Sequence, residues 1–103
     1  MIPVRQYRRR YLLVDLFEGD ISGSELFQAL KEKMIQLYGA KGLSEASIKL
    51  IDFDSEYRTT IIRCNHKSIR KTRATIALLT SFNSQPLTLN VIKASGTIKS
   101  LKS

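Results

Sequence analysis

Cys64 and His66 carry the side chains of a nucleophile and its base, two positions apart at an expected strand-to-helix junction. A working Cys–His pair needs both side chains turned toward each other and a third group to orient the base. Nothing in this spacing enforces that, and the ordinary reading is a small buried cysteine followed by a histidine at a helix start. Two ligands also fall short of the roughly four that a structural zinc site takes. Asp52-x-Asp54-x-Glu56 is a second candidate, since three carboxylates spaced by two could hold magnesium. They fall in an expected hairpin, where Asp and Ser are common turn formers, and no acid follows Glu56 to complete a two-metal site. The five glycines match neither common phosphate-loop spacing. The residue types therefore offer no catalytic set and no metal site of the chain's own.

The cations are better candidates. Residues 1–14, 15–56 and 57–103 carry +4, −5 and +9, which make up the net +8, and no acid follows Glu56. Positive charge sorted in this way concentrates potential, and the common partner of a small basic protein is a polyanion, above all nucleic acid. On the expected second helix Lys67, Arg70 and Lys71 share one side of the helical wheel, with Arg73 at its boundary. A solvated helix face normally interleaves Glu with Lys at i,i+4, and none does so here. Candidate phosphate contacts are these four, Arg8, Arg9 and Arg10 near the amino terminus, and Lys93 and Lys99 near the carboxyl terminus.

The elements that must position these groups can be read from periodicity. Residues 9–17 have strand length and composition, and Gly19-Asp20 breaks the strand. Ser22-x-x-Glu25 spells a capping box, with Ile21 and Leu26 as its hydrophobic staple. The helix that follows aligns Leu26, Phe27, Leu30, Met34, Leu37 and Tyr38 on one face and meets stop signals at Gly39 and Gly42. A strand over 46–53, a turn at 54–56 and a strand over 57–64 come next. Asn65 then caps a second helix reaching about Ser81, with Ile69, Thr72, Ile76 and Leu79 as its buried stripe. A last strand runs over 87–94, and Ser95-Gly96-Thr97 ends it. The order β-α-β-β-α-β predicts an α+β, ferredoxin-like (RRM-like) sandwich with two helices on one face of an antiparallel sheet, strand order 4-1-3-2. The chain is read as one domain, 1–103.

A sheet with one wet face should alternate apolar and polar residues. Tyr11-Leu12-Leu13-Val14, Ile61-Ile62 and Val91-Ile92 instead place apolar side chains on both faces. A covering partner protein is the expectation, with Tyr11, Leu13 and Ile61 as its contacts. An RRM would stack bases on aromatics of its central strands, but the strand from Tyr57 to Cys64 holds only Tyr57, at its edge. Recognition of folded RNA by shape and phosphate fits these residues better.

One cysteine excludes an internal disulfide framework and fits a reducing compartment. No apolar run approaches the roughly 20 residues of a spanning helix, and the start lacks a secretory signal, so a cytoplasmic protein without membrane association is expected. Arg9-Arg10-Tyr11-Leu12-Leu13, Ile61-Ile62-Arg63-Cys64, the helix from Arg73 to Thr80 and the ending from Val91 to Lys99 resemble, in order, the small Pop-type protein subunit of archaeal and eukaryotic ribonuclease P. Ser95-Gly96-Thr97-Ile98-Lys99 is the most specific part of the likeness. The resemblance implies an RNA-binding subunit supporting RNA-catalysed removal of the 5′ leader from precursor tRNA, itself non-catalytic. It also implies partners: the ribonuclease P RNA, which would hold the catalytic magnesium, precursor tRNA, and a larger protein subunit in a hetero-oligomer. The residues leave open a ribosomal-type RNA-binding protein and a free-standing metal-dependent nuclease.

Overall fold

The computed structural model describes residues 8–102, so Arg5 and Ser103 lie outside the described residues. A four-stranded antiparallel sheet is built from β1 (Arg9–Glu18), β2 (Lys49–Asp54), β3 (Thr59–Asn65) and β6 (Thr88–Ser95), in the order β2-β3-β1-β6. This is the expected 4-1-3-2 arrangement once a small hairpin, β4 (Ser81–Phe82) and β5 (Gln85–Pro86), is counted. Its two-residue loop places Asn83 and Ser84 at positive φ, the backbone that a tight hairpin turn needs. Helix α1 (Gly23–Ala46) packs over β2 and β3, while α2 (Ile69–Leu78) packs over β3 and β6 and against α1.

The first helix begins as its sequence predicts. Ser22 Oγ accepts the Glu25 N–H at 3.2 Å, and the Ser22 N–H donates to Glu25 Oε1 at 2.9 Å. Ile21 and Leu26 of the staple are both buried. The helix ends differently. Gly39, at φ +78°, breaks it where a stop is expected, yet a further stretch of helix runs on to Ala46 and closes on Ser47 in the left-handed region. Gly42 permits that stretch, because a side chain there would run into the Cβ of Tyr38. Within the first part of the helix Ala29 is buried and Leu37 is exposed, the reverse of the expected stripe at these two positions.

Three further boundaries shift. Ala46 closes α1 instead of opening a strand. Tyr57 and Arg58 belong to the turn before β3, where Arg58 adopts φ +56° and donates through Nε to Leu16 O at 3.2 Å. The second helix starts with a 3-10 turn, His66–Ser68, capped by Asn65, whose side chain accepts the Lys67 N–H at 3.2 Å. It stops at Leu78, and Ser81 pairs with Pro86 in the hairpin.

The core lies between the sheet and these two helices. Leu12, Val14 and Leu16 of β1 and Ile62 of β3 meet Leu26 and Leu30 of α1 and Ile76 of α2. Burying each such side chain contributes about 1.5–3 kcal/mol. Leu13 and Ile61 pair with each other on the opposite face. That face, expected to need another protein, is covered over β1 and β6 by the chain's own helix α3 (Ile98–Lys102). Lys93 Nζ donates to Ser100 O at 2.8 Å, and Leu101 is buried outside the main core. Of the three expected contacts, Ile61 is only 3% exposed, while Tyr11 and Leu13 are half-buried. Internal packing thus accounts for the pattern at Ile61, whereas Ile92 of β6 stays 54% exposed.

Candidate nucleic-acid interface

The expected cations do not form one surface. Four of them meet at the end of the sheet, where β1 begins and β3 runs out. Arg8 and Arg9 lead into β1, and Lys67 and Lys71 stand at the start of the second helical segment. Between them opens a cavity of about 690 Å³. A fifth cation, Arg63 of β3, lines it as well and was not among the sequence candidates. Ser44, Glu45 and Ser47, from the end of α1, form another wall, with Asn65 and Ser68 beside Lys67.

Local pairing explains this convergence. Arg9 registers with Asn65 across the β1–β3 ladder, and the His66 N–H donates to Arg8 O at 2.9 Å. The amino-terminal cations are thereby tied to the segment that carries Lys67 and Lys71. Lys71 Nζ lies 5.4 Å from the Tyr38 ring centroid, so α1 steadies its far side through a cation–π contact. Arg8, Arg9, Arg63 and Lys67 have no side-chain ion pair or hydrogen bond among the described residues. One carboxylate, Glu45, faces five cations, so the potential in this concavity is positive and uncompensated.

The other candidates are elsewhere. Arg10 registers with Cys64, is half-buried, and does not line the cavity. Arg70 and Arg73 are exposed on α2 outside it. Lys93 and Lys99 belong with α3 and the outer sheet face, Lys93 being bonded to Ser100. The helical wheel grouped Lys67, Arg70 and Lys71, whereas the turn into α2 brings the first and last to the cavity.

Of the residues considered for catalysis, Cys64 and Asp54 have structural duties, while His66 Nδ1 is buried without a hydrogen-bond partner. Cys64 is buried, and desolvation pushes its thiol up, opposed by a hydrogen bond with Thr72 and by the Arg10 charge. A thiol held in its neutral form is a poor nucleophile. Asp54 Oδ1 accepts the N–H groups of Glu56 at 3.0 Å and Tyr57 at 3.1 Å, building the β2–β3 turn. Among the described residues no three His, Cys, Asp or Glu side chains are grouped so as to hold a metal ion. Base stacking on the sheet is obstructed too, because α3 lies across β1, one of the two central strands.

The chain is thus of the ferredoxin-like α+β class, with a concave basic site of five cations and one carboxylate at the end of its sheet. More particularly, the sequence model of the Rpp14/Pop5 family matches residues 10–103, and the chain belongs to that family. It is 33% identical over 100 residues to ribonuclease P protein component 2 of Methanosarcina barkeri, covering 96% of this chain and 73% of that one. The Pyrococcus horikoshii protein of the same name is 28% identical over 101 residues, 97% of this chain and 84% of that one. A chain in the cryo-EM structure of yeast ribonuclease MRP superposes with a TM-score of 0.71 at 18% identity, covering 91% of this chain and 79% of that chain. That likeness bears on the fold alone.

Proposed function

We propose that this protein is an RNA-binding subunit of ribonuclease P that supports RNA-catalysed removal of the 5′ leader from precursor tRNA and does no bond-breaking itself. The observation that carries this reading is the family match across residues 10–103. Relatives matched over nearly the whole chain bear the name ribonuclease P protein component 2. The residue chemistry supports it: five cations around one cavity suit an RNA backbone, and the Asp54 carboxylate serves a turn. In this reading the catalytic magnesium ions sit on the RNA, whose phosphates the protein helps to hold together by neutralising their charge. A larger protein subunit completes the particle. Its contact would use surface other than the part of the sheet beneath α3. The compartment is cytoplasmic; no helix of the described residues is long and apolar enough to cross a membrane.

The test is reconstitution from cognate RNA, partner proteins and this chain, with leader cleavage of precursor tRNA as the readout at limiting magnesium. Omitting this chain should lower cleavage, and adding it back should restore it. Leader cleavage by the chain alone, abolished by Asp52→Ala, would overturn the subunit reading in favour of a free-standing nuclease.

A further inference from the structure

We propose that the cavity at the end of the sheet seats the ribose–phosphate backbone of an unpaired RNA strand, bases outside, and that Glu45 favours ribose over deoxyribose. This rests on the RNA-binding reading above and assigns the chemistry of one site within it. The cavity volume, about 690 Å³, is on the scale of small-molecule sites, roughly 300–1,000 Å³. A short strand segment is of a size such a space can take.

The lining decides which part of the strand enters. It contains no aromatic ring and no large aliphatic side chain, so the usual base-stacking platform is missing and the arginines are the groups that meet the strand. It does contain cations from three separate segments, which can approach successive phosphates from different sides. Arg63 is half-buried in β3 with no side-chain partner among the described residues, which leaves its guanidinium fork for a phosphate.

Glu45 is the unexpected member, because a carboxylate weakens an anion site by its charge. It has no ion pair or hydrogen bond among the described residues, so it is not spent on holding one of the cations. An ionised carboxylate only accepts hydrogen bonds, and the donor that an RNA backbone presents beside its phosphates is the 2′-hydroxyl. DNA lacks that donor and would meet only the repulsion. Ser44 and Ser47, on the same wall, can donate or accept at the same group.

The test uses the full-length chain and fluorescence anisotropy with labelled 12-mers carrying 5′-hydroxyl ends. A12 and U12 RNA should bind within about threefold of each other, and a duplex more weakly. RNA should exceed the matching DNA by roughly tenfold, the scale of one hydrogen bond to a charged acceptor. Glu45→Gln should cut that ratio to a few-fold, because the 2′-hydroxyl then finds only a neutral amide oxygen as acceptor. Arg63→Gln should weaken RNA and DNA alike and flatten the salt dependence by about 0.7 to 0.9 in log–log slope. Lys67→Gln, at an exposed position, should do the same, and circular dichroism should show that each variant folds. Equal RNA and DNA binding by the wild type, or an RNA-to-DNA ratio unmoved by Glu45→Gln, overturns the inference. So does a 5′-phosphorylated U12 that binds tenfold tighter than its 5′-hydroxyl form, which would make the cavity a strand-end site. Steep salt-dependent RNA binding unaffected by Arg63→Gln and Lys67→Gln sinks the cavity assignment and leaves the RNA-binding reading standing. No RNA binding at all would sink both.

Discussion

Replacing Lys67 and Lys71 together by glutamine should remove two of the five cations that surround the cavity. Each neutralised phosphate contributes roughly −0.7 to −0.9 to the slope of log affinity against log salt, from single strands to B-form DNA. If all five make contact, the wild-type slope is about −3.5 to −4.5, and raising salt from 50 to 200 mM weakens binding by about 130- to 500-fold. With three left, the slope is about −2.1 to −2.7 and the same change costs only about 20- to 40-fold. Fluorescence anisotropy across a salt titration measures both slopes directly. The helix should survive, since Lys67 and Lys71 are exposed and glutamine is a fair helix former; losing the Lys71–Tyr38 contact costs about 0.5–1 kcal/mol. The control is Lys99→Gln on α3, which lies on the other face of the sheet and should leave the slope nearly unchanged if the cavity is the binding surface. Folded proteins showing equal slopes for the wild type and the double variant would refute the placement. A flattened slope for Lys99→Gln alone would move the RNA to the α3 face.

Ser22→Ala removes half of the α1 capping box and should lower stability by about 1 kcal/mol, read from the midpoint of urea unfolding; an unchanged midpoint would mean the cap contributes nothing. Leu101→Ala should cost about 2 kcal/mol, toward the low end for a buried leucine because α3 is short, and should expose the Leu13/Ile61 face to a hydrophobic dye; no increase in dye binding would mean α3 does not cover it. Cys64 should resist a thiol reagent in the native state and react on unfolding. Because burial raises its folded pKa, the unfolded chain ionises first as pH rises, so its contribution is full below the ordinary thiol range and falls as pH climbs toward the folded value. Cys64→Ser variants that keep the same stability decline across that alkaline range would assign the effect to another group.

The periodicity of the chain determined the order of its main elements, and the capping box at Ser22 determined where α1 begins, because both are local properties of backbone and side-chain spacing. The sorting of charge along the chain likewise makes a polyanion the expected partner. What local reasoning could not supply was the convergence of separate segments. Helix propensity ends α1 at Gly39, but packing of the next turn on Tyr38 and α2 carries it on to Ala46, and that extension brings Ser44 and Glu45 to the cavity. Arg63 looks from sequence like one more strand residue; only the β1–β3 register puts it near Arg9, which pairs two residues further along at Asn65. The same limit applies to the apolar second face. The strand pattern shows that something must cover it, yet whether the cover is another protein or α3 depends on where the chain turns after Gly96. Burial of Leu101 on that face is a long-range contact, and a pattern of neighbours along the chain holds no term for it.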